Sequence, residues 1–357
     1  MFVRNAWYCA GWDYLVTQGK NSVVARQIAG ERVVLYRKPT GEIVAMEDRC
    51  PHRQAALSLG QKEGDALRCM YHGMKFAPDG KCIEIPGQKQ ISARACVRVF
   101  PVVEQENWIW VWMGDAEKAD PGLIPFAVGP GNPDWTMRTS HMRVDANYRL
   151  EIANLADLSH LAWVHQKSLG GADSQTQTQY THIEPKFTVG ERDMRTEYVV
   201  RDVPAPHFLT HLFAPDARFN LHFDITHTLP CTWVLHFQAF VHGTESAEKP
   251  HGEPVADTYT CQAVVPSNED SVEYYFSWGS NKAFDFPGLS DLLRDVLDIA
   301  FLEDRHVLEA QHIRISEKPD LTLINICHDD GPNRMLRLLD KNLKREAEEA
   351  QASKAAA

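Results

Sequence analysis

No stretch of this sequence stays apolar over the roughly 20 residues that a membrane-spanning helix needs. The opening Met1-Phe2-Val3-Arg4-Asn5-Ala6-Trp7-Tyr8 also lacks the apolar region of a signal peptide, so a cytoplasmic protein is expected. Positive charge is in short supply. The 37 lysines and arginines stand against 48 aspartates and glutamates, a formal net charge of −11, which argues against nucleic acid or an anionic membrane as partner. No glycine-rich dinucleotide loop follows a candidate strand, so the chain has no evident means of binding a nicotinamide cofactor. Six of the eight cysteines, Cys9, Cys82, Cys96, Cys231, Cys261 and Cys327, are widely scattered. In a reducing compartment they read as small hydrophobes rather than a disulfide framework.

What is present begins with the other two cysteines. Cys50-Pro51-His52 is followed, after a sixteen-residue gap, by Cys69-Met70-Tyr71-His72. Two thiolates and two imidazoles at this spacing suit a [2Fe–2S] cluster whose second iron carries histidines, which raises its reduction potential above that of an all-cysteine centre. A Cys2His2 zinc site uses the same ligand atoms, but zinc fingers usually open with both cysteines and close with both histidines. Here each short loop supplies one of each. Pro51 stiffens the first loop, and Gly73 permits a tight turn with free N–H groups near the sulfurs.

At 357 residues the chain exceeds what one core usually serves, and its 44% hydrophobic content is ordinary for a globular protein. We divide it at 1–115, 116–340 and 341–357. Up to residue 115 it reads as short strands: Ser22–Ile28, Arg32–Arg37, Ile43–Glu47, Phe100–Glu104 and Trp108–Met113, with hairpin signals at Thr40-Gly41 and Asp79-Gly80. Trp108, Trp110 and Trp112 share one face of the last strand by the period of two and are expected in a core or an interface. Residues 115–134, with four prolines, read as a linker and first loop.

In the second region, Asn147 to Val164 reads as one helix. It contains Asp157 and His160, three apart and so on one face, with His165 at its frayed end before Gly170-Gly171. Two histidines this close are candidate ligands of one metal. A 2-His-1-carboxylate facial triad would leave positions open for O2, and it would give the cluster an electron acceptor. The carboxylate is sought in the helical segment running through Glu303, Asp304 and Glu309, and spacing alone leaves all three open. Strands are expected at Arg218–Thr226, Cys231–Val241 and Val272–Trp278. The polar faces, on which His222 and His236 are candidate cavity residues, either line a substrate pocket or meet solvent. Asn333 to Ala357 reads as an amphipathic helix running into a polar tail.

The motifs Cys50-Pro51-His52-Arg53 and Cys69-Met70-Tyr71-His72-Gly73 resemble the two cluster loops of Rieske proteins. Lys75-Phe76, Asp79-Gly80 and Ile85-Pro86-Gly87 resemble the segment that follows in Rieske oxygenases, except that Met74 stands where a tryptophan is common. Arg4–Tyr8, Pro86-Gly87-Gln88, Val111–Asp115 and Leu161–His165 are most similar to the group of vanillate O-demethylase, toluenesulfonate methyl-monooxygenase and dicamba O-demethylase.

The resemblance implies an α+β protein, with an N-terminal all-β Rieske [2Fe–2S] domain and then a helix-grip-type catalytic domain built on an antiparallel sheet. Cys50, His52, Cys69 and His72 would hold the cluster, and His160, His165 and Asp304 a mononuclear Fe(II). Asp157 would link a cluster histidine to an iron histidine across the interface of a homotrimer, with Asn154 near the iron. The implied activity is monooxygenation of a methyl or methoxy group of a small aromatic acid, as in aromatic catabolism, with O-demethylation favoured. Electrons would come from a separate NAD(P)H-dependent flavin and iron–sulfur reductase. Two other readings stand beside this one. An aromatic dihydroxylase or N-dealkylase could use the same scaffold. A Rieske electron carrier needs only the first third of the chain and leaves the second set of ligands unexplained.

Overall fold

In the computed structural model the described residues are 1–19, 22–165, 168–169, 184–205, 210, 213–214 and 216–356. They fall into two compact units. One comprises Phe2–Ile124 with Val265–Asn268; the other comprises Met1, Pro125–Val264 and Glu269–Ala357.

The unit beginning at Phe2 is built of short strands. These are β1 (Ala6–Trp12), β2 (Val23–Ile28), β3 (Glu31–Arg37), β4 (Ile43–Glu47), β5 (Gln61–Glu63), β6 (Ala66–Arg68), β7 (Lys75–Phe76), β8 (Cys82–Glu84), β9 (Val99–Phe100), β10 (Val102–Gln105) and β11 (Trp108–Met113). They form three antiparallel sheets ordered β1-β11-β10, β2-β3-β4-β9 and β5-β6-β7-β8. Hairpin geometry is visible at Glu106-Asn107, where both residues take positive φ (55° and 67°) as a two-residue turn with the sheet's twist requires. All six residues of β11 are buried, so the three tryptophans and the aliphatic face between them both pack inward. Trp108 stacks on Trp110 at 5.9 Å, and Trp112 meets Trp7 edge-on at 5.4 Å.

A second cluster of buried side chains, including Val34, Tyr36, Met46, Leu57, Leu67, Met74 and Phe76, encloses Cys50 and Cys69. Met74 therefore supplies volume to the same buried cluster as the two cysteines.

The other unit carries β12 (Trp135–Val144), β13 (Lys186–Val189), β14 (Asp193–Pro204), β15 (Arg218–Thr228), β16 (Thr232–Val241), β17 (Glu253–Asn268, up to Val264) and β18 (Ser271–Asn281). These make one antiparallel sheet ordered β12-β18-β17-β16-β15-β14-β13. Among the described residues its helices are α1 (Tyr148–Leu155), α2 (Leu161–Val164), α3 (Leu289–Glu317) and α4 (Asp330–Ala356). Helix α3 packs on β12 and β18, and α4 packs on α1. The buried stripe of α3, Leu293, Leu297, Ala300, Phe301, Asp304 and Leu308, recurs at steps of three and four, so one face is turned to the protein. Asp304 is the one carboxylate on that face. Within the segment expected as a polar tail, helix α4 continues and Asn342 is buried.

The single helix expected over Asn147–Val164 is in fact broken. Helix α1 ends at Leu155, a 3-10 turn spans Leu158–His160, and α2 follows. Asp157 has extended backbone (φ −125°, ψ 105°), and its carboxylate accepts from the Ser159 N–H as an N-cap. A residue that caps the next segment cannot also continue the previous helix, which is why the hydrophobic period alone misled. Gly170-Gly171, read as that helix's stop, lie outside the described residues.

Candidate metal centres

The two cluster loops place thiols and imidazoles differently. Cys50 and Cys69 are 2% and 1% exposed, whereas His52 and His72 are exposed, with ring centroids 4.6 Å apart. Each cysteine begins a loop closed by its own backbone. Gln54 N–H donates to the Cys50 carbonyl at 2.9 Å, and Gly73 N–H donates to the Cys69 carbonyl at 3.1 Å. The Gly73 N–H is thus spent on closing its turn rather than free. Gly73 sits at φ +74°, where a Cβ would also stand 2.8 Å from Pro86 Cγ, so no other residue suits the position.

Burial pushes the Cys50 thiol up, while backbone N–H groups of His52 and Arg53 at its sulfur pull the other way. Such N–H groups favour a thiolate ligand. Two further side chains brace the loops. Asp48 accepts from both the backbone N–H and the hydroxyl of Ser58 at 2.6 Å. Arg68 donates to the Gly73 carbonyl at 2.7 Å while forking onto Glu63 and Glu84.

In the other unit His160, His165 and Asp304 offer ligand atoms that all lie within 4.8 Å of one another. His160 ends the 3-10 turn, His165 caps the C-terminus of α2, and Asp304 comes from α3. The Nε2 atoms of His160 and His165 lie 3.5 and 3.3 Å from separate Asp304 oxygens. Both Nδ1 atoms are engaged elsewhere. That of His160 meets the backbone carbonyl of Asp157, and that of His165 lies 3.1 Å from Glu303 Oε2. A carbonyl only accepts, so Nδ1 of His160 carries the proton and Nε2 presents its lone pair to the shared point. Ser168 donates to the same Glu303 oxygen at 2.6 Å, and Asn154 donates to Asp304 Oδ1 at 3.1 Å.

Burial works to raise the Asp304 carboxyl, but His165, His160 and the Asn154 amide outweigh it and hold it below the usual carboxylate range. Burial likewise acts to lower both imidazoles. It prevails for His160, while at His165 the two facing carboxylates reverse the direction. Two imidazoles and a carboxylate, buried and braced in this way, are a donor set for a divalent transition metal with positions to spare.

Asp157 was expected to reach an iron histidine through its carboxylate. Its contact with His160 is instead through the backbone carbonyl, and the carboxylate holds the N–H and hydroxyl of Ser159 at 2.8 and 2.9 Å. Glu303, one of the three candidate carboxylates, does not join the triad but orients His165. No signal in its spacing marks this role, because it depends on where α2 ends relative to α3.

A cavity of about 560 Å³, counting the space at its mouth, opens over the triad. Leu155, Leu158, Leu161, Leu297, Ala300 and Phe301 wall it from the helices, and Trp233, Leu235, Thr260, Gln262 and Trp278 from the sheet. His222 and His236 are not among its lining residues. In the β15–β16 register His222 faces Gln238 and Asp224 faces His236, so both histidines lie one step out of phase with cavity-lining Leu235, on the other face of the sheet. His236 there bonds Asp257 at 2.6 Å and stacks on Tyr259. His222 packs against His251 and Phe240. The alternation of β15 was legible, but the face turned to the cavity is its apolar one.

A cysteine–histidine cluster unit joined to a sheet-and-helix unit with a braced His2Asp site defines the oxygenase components of Rieske non-heme iron monooxygenases. Comparison with known proteins agrees at both ends. Residues 6–101 match the Rieske [2Fe-2S] domain, and residues 144–345 match the vanillate O-demethylase oxygenase C-terminal domain. The chain belongs to the vanillate O-demethylase oxygenase family.

It is 34% identical to the toluene-4-sulfonate monooxygenase system iron-sulfur subunit of Comamonas testosteroni, over 97% of this chain and 98% of that one. It is 30% identical to the vanillate O-demethylase oxygenase subunit of a Pseudomonas species, over 99% and 98%. The crystal structure of dicamba monooxygenase bound to dicamba superposes with a TM-score of 0.83 at 28% identity, covering 97% of this chain and 99% of that one. Among the described residues no helix is long and apolar enough to cross a membrane.

Proposed function

We propose that this chain uses O2 and electrons from a separate reductase to hydroxylate a methyl or methoxy carbon of a small aromatic acid, with O-demethylation the favoured outcome. The observation that carries the reading is the pair of imidazole Nε2 atoms 3.3 to 3.5 Å from one buried carboxylate, beneath an apolar-walled cavity. In this reading His160, His165 and Asp304 hold a mononuclear Fe(II), and Cys50, His52, Cys69 and His72 hold the [2Fe–2S] cluster. The bound iron supplies O2 activation, and the cluster supplies electrons one at a time.

The protein's own contribution is positional. Asp157 and Glu303 fix the imidazole rings, Asn154 fixes the Asp304 carboxylate, and the leucine-rich wall excludes water from the oxidising site. The exposed edges of His52 and His72 are where electrons enter and leave. We assign residues 1–115 to electron transfer and 116–340 to oxidation, with α4 continuing past residue 340. A homotrimer would bring one subunit's cluster to its neighbour's iron, with Asp157 at the crossing. No disulfide joins any of the eight cysteines, in keeping with a cytoplasmic protein.

The test is turnover of iron-replete protein with a surrogate reductase and NADH on methoxybenzoates, methylbenzoates and toluenesulfonate. Formaldehyde matched to a demethylated phenol is expected. Benzylic alcohol without formaldehyde would move the chain to the methyl hydroxylases, and ring cis-diols would overturn the proposal.

A further inference from the structure

Three pairs of histidine rings meet edge-on among the described residues. His52 and His72 have centroids 4.6 Å apart at 69°, and His160 and His165 have theirs 5.1 Å apart at 67°. The third pair, His222 and His251, stands at 4.3 Å and 76°. The first two pairs belong to the candidate metal centres described above. The third belongs to neither, and His222 lies on the sheet face turned away from the cavity.

His222 is on β15, and His251 is in the hairpin that joins β16 to β17. Asn220 brings them together. It is fully buried and, two residues before His222, shares its strand face. The Asn220 amide donates to the His251 carbonyl at 3.1 Å and to Glu245 Oε1 at 2.5 Å, so it gathers both ends of the hairpin. Its oxygen accepts from His242 Nδ1 at 3.0 Å and from the Asp202 N–H at 3.3 Å. Phe240 closes one side, 5.0 Å from the His222 ring and 5.5 Å from that of His251.

Asn220 uses every hydrogen-bonding group it has, whereas His222 does not. Its Nε2 is buried without a hydrogen-bond partner among the described residues, which is costly for a polar atom. Burial, and then the nearby charges of His251 and Arg201, push this imidazole down to about 4, so it is neutral at pH 7. The neutral ring is the form that ligates a metal, and imidazole pairs suit zinc and copper.

We propose that His222 and His251 form a third metal site, which takes a Zn2+ or Cu2+ ion and so pins the β16–β17 hairpin to β15. Glu245, tethered through Asn220, supplies a carboxylate close by to offset the charge of the ion and of Arg201. The role is structural and independent of the oxidation proposed at the triad.

The test uses iron-replete holoprotein with its cluster oxidised, so that the other two centres are filled. Zn2+ titrated calorimetrically should bind at one equivalent per chain. His251→Ala and His222→Gln should each weaken it at least about tenfold. His236→Gln, which alters another histidine of the same sheet face, should leave the affinity within about threefold. Cu2+ at one equivalent should give a paramagnetic resonance signal with hyperfine structure from two imidazole nitrogens, reduced to one in His251→Ala. Bound Zn2+ should also slow amide exchange across residues 242–252 in the wild type but not in His251→Ala.

His251 is exposed, so its truncation leaves the core alone, and unchanged cluster absorbance and iron content show that the variant has folded. Failure of the wild type to bind either ion beyond the filled centres overturns the proposal. Equal affinity in the wild type, His251→Ala and His222→Gln means adventitious surface binding only and overturns it too. Binding that leaves the exchange of residues 242–252 unchanged overturns the pinning of the hairpin.

Discussion

The two candidate metal centres are built on opposite plans. At the cluster loops, the cysteines are sunk in a core while both histidines stand exposed, and all four candidate ligands fall between residues 50 and 72. At the triad, His165 and Asp304 are each 2% exposed, and 150 residues separate Asn154 from the carboxylate it braces. An electron-transfer group needs an edge that a donor can approach. An oxidising group needs walls that keep water out and substrate in. Local chain suffices for the first, because two hairpin loops can present four ligands. The second takes a sheet and several helices.

The largest effects should come from removing a ligand, and they should separate the two plans. Asp304→Ala is expected to lower iron from about three to about two per chain and to cut product formation by more than about a thousandfold, with the cluster's visible spectrum intact. Iron analysis and absorbance on one sample decide it. A cluster lost together with the mononuclear iron would show that the two sites are not independently built.

Next in size is the bracing of His165. Glu303→Ala removes the acceptor at Nδ1 and should weaken mononuclear metal binding about 10- to 100-fold, whereas Glu303→Gln should recover part of it. Competition with a chelator measures this directly, and equal affinities in all three proteins would contradict the role given to Glu303.

The corresponding brace on the exposed site is Arg68. Arg68→Ala frees the Gly73 carbonyl and the Glu63 and Glu84 carboxylates, and it should loosen the second cluster loop. Faster cluster bleaching in air is the expected sign. Unchanged bleaching would mean that backbone bonds alone hold the loop.

The smallest effect isolates burial. His227, on β15, is fully enclosed, and burial pushes its imidazole down to about 3. It is neutral in the folded protein, while the unfolded chain takes up a proton near pH 6.5. Stability from His227 is therefore present above pH 6.5 and drains away as pH falls toward 3, by about 2 kcal/mol between pH 6.5 and 5. His227→Gln should flatten that part of the profile of Tm against pH. Parallel profiles for the two proteins would show that the ring is not held neutral.

Much of this architecture was legible in the residues. The strands of the cluster unit, the two loops and the histidines at 160 and 165 follow from short-range patterns. Where the reading slipped, a longer-range choice had intervened. Asp157 sits in an apolar period that fits one helix, but its side chain caps a new turn instead. Glu303, Asp304 and Glu309 are equivalent on spacing, and only the buried stripe of α3 singles out Asp304. His222 and His236 were drawn toward the cavity because polar faces often line binding sites, yet the sheet turns its apolar face there. Gln262 carried no sequence signal, because its place on the cavity wall depends on which face of β17 meets the cavity.

The sequence by itself determined the chemistry that chain geometry confines to a few residues. These are the cysteine–histidine loops and the two nearby imidazoles. Strand alternation told it that two faces exist, and helix periodicity that a stripe exists. Only the tertiary structure decided which sheet face meets the helices, which carboxylate closes the triad, and which amide looks into the cavity. Those choices rest on pairing register and packing between distant segments, where shifting a strand by one residue exchanges its two faces while leaving its own pattern unchanged.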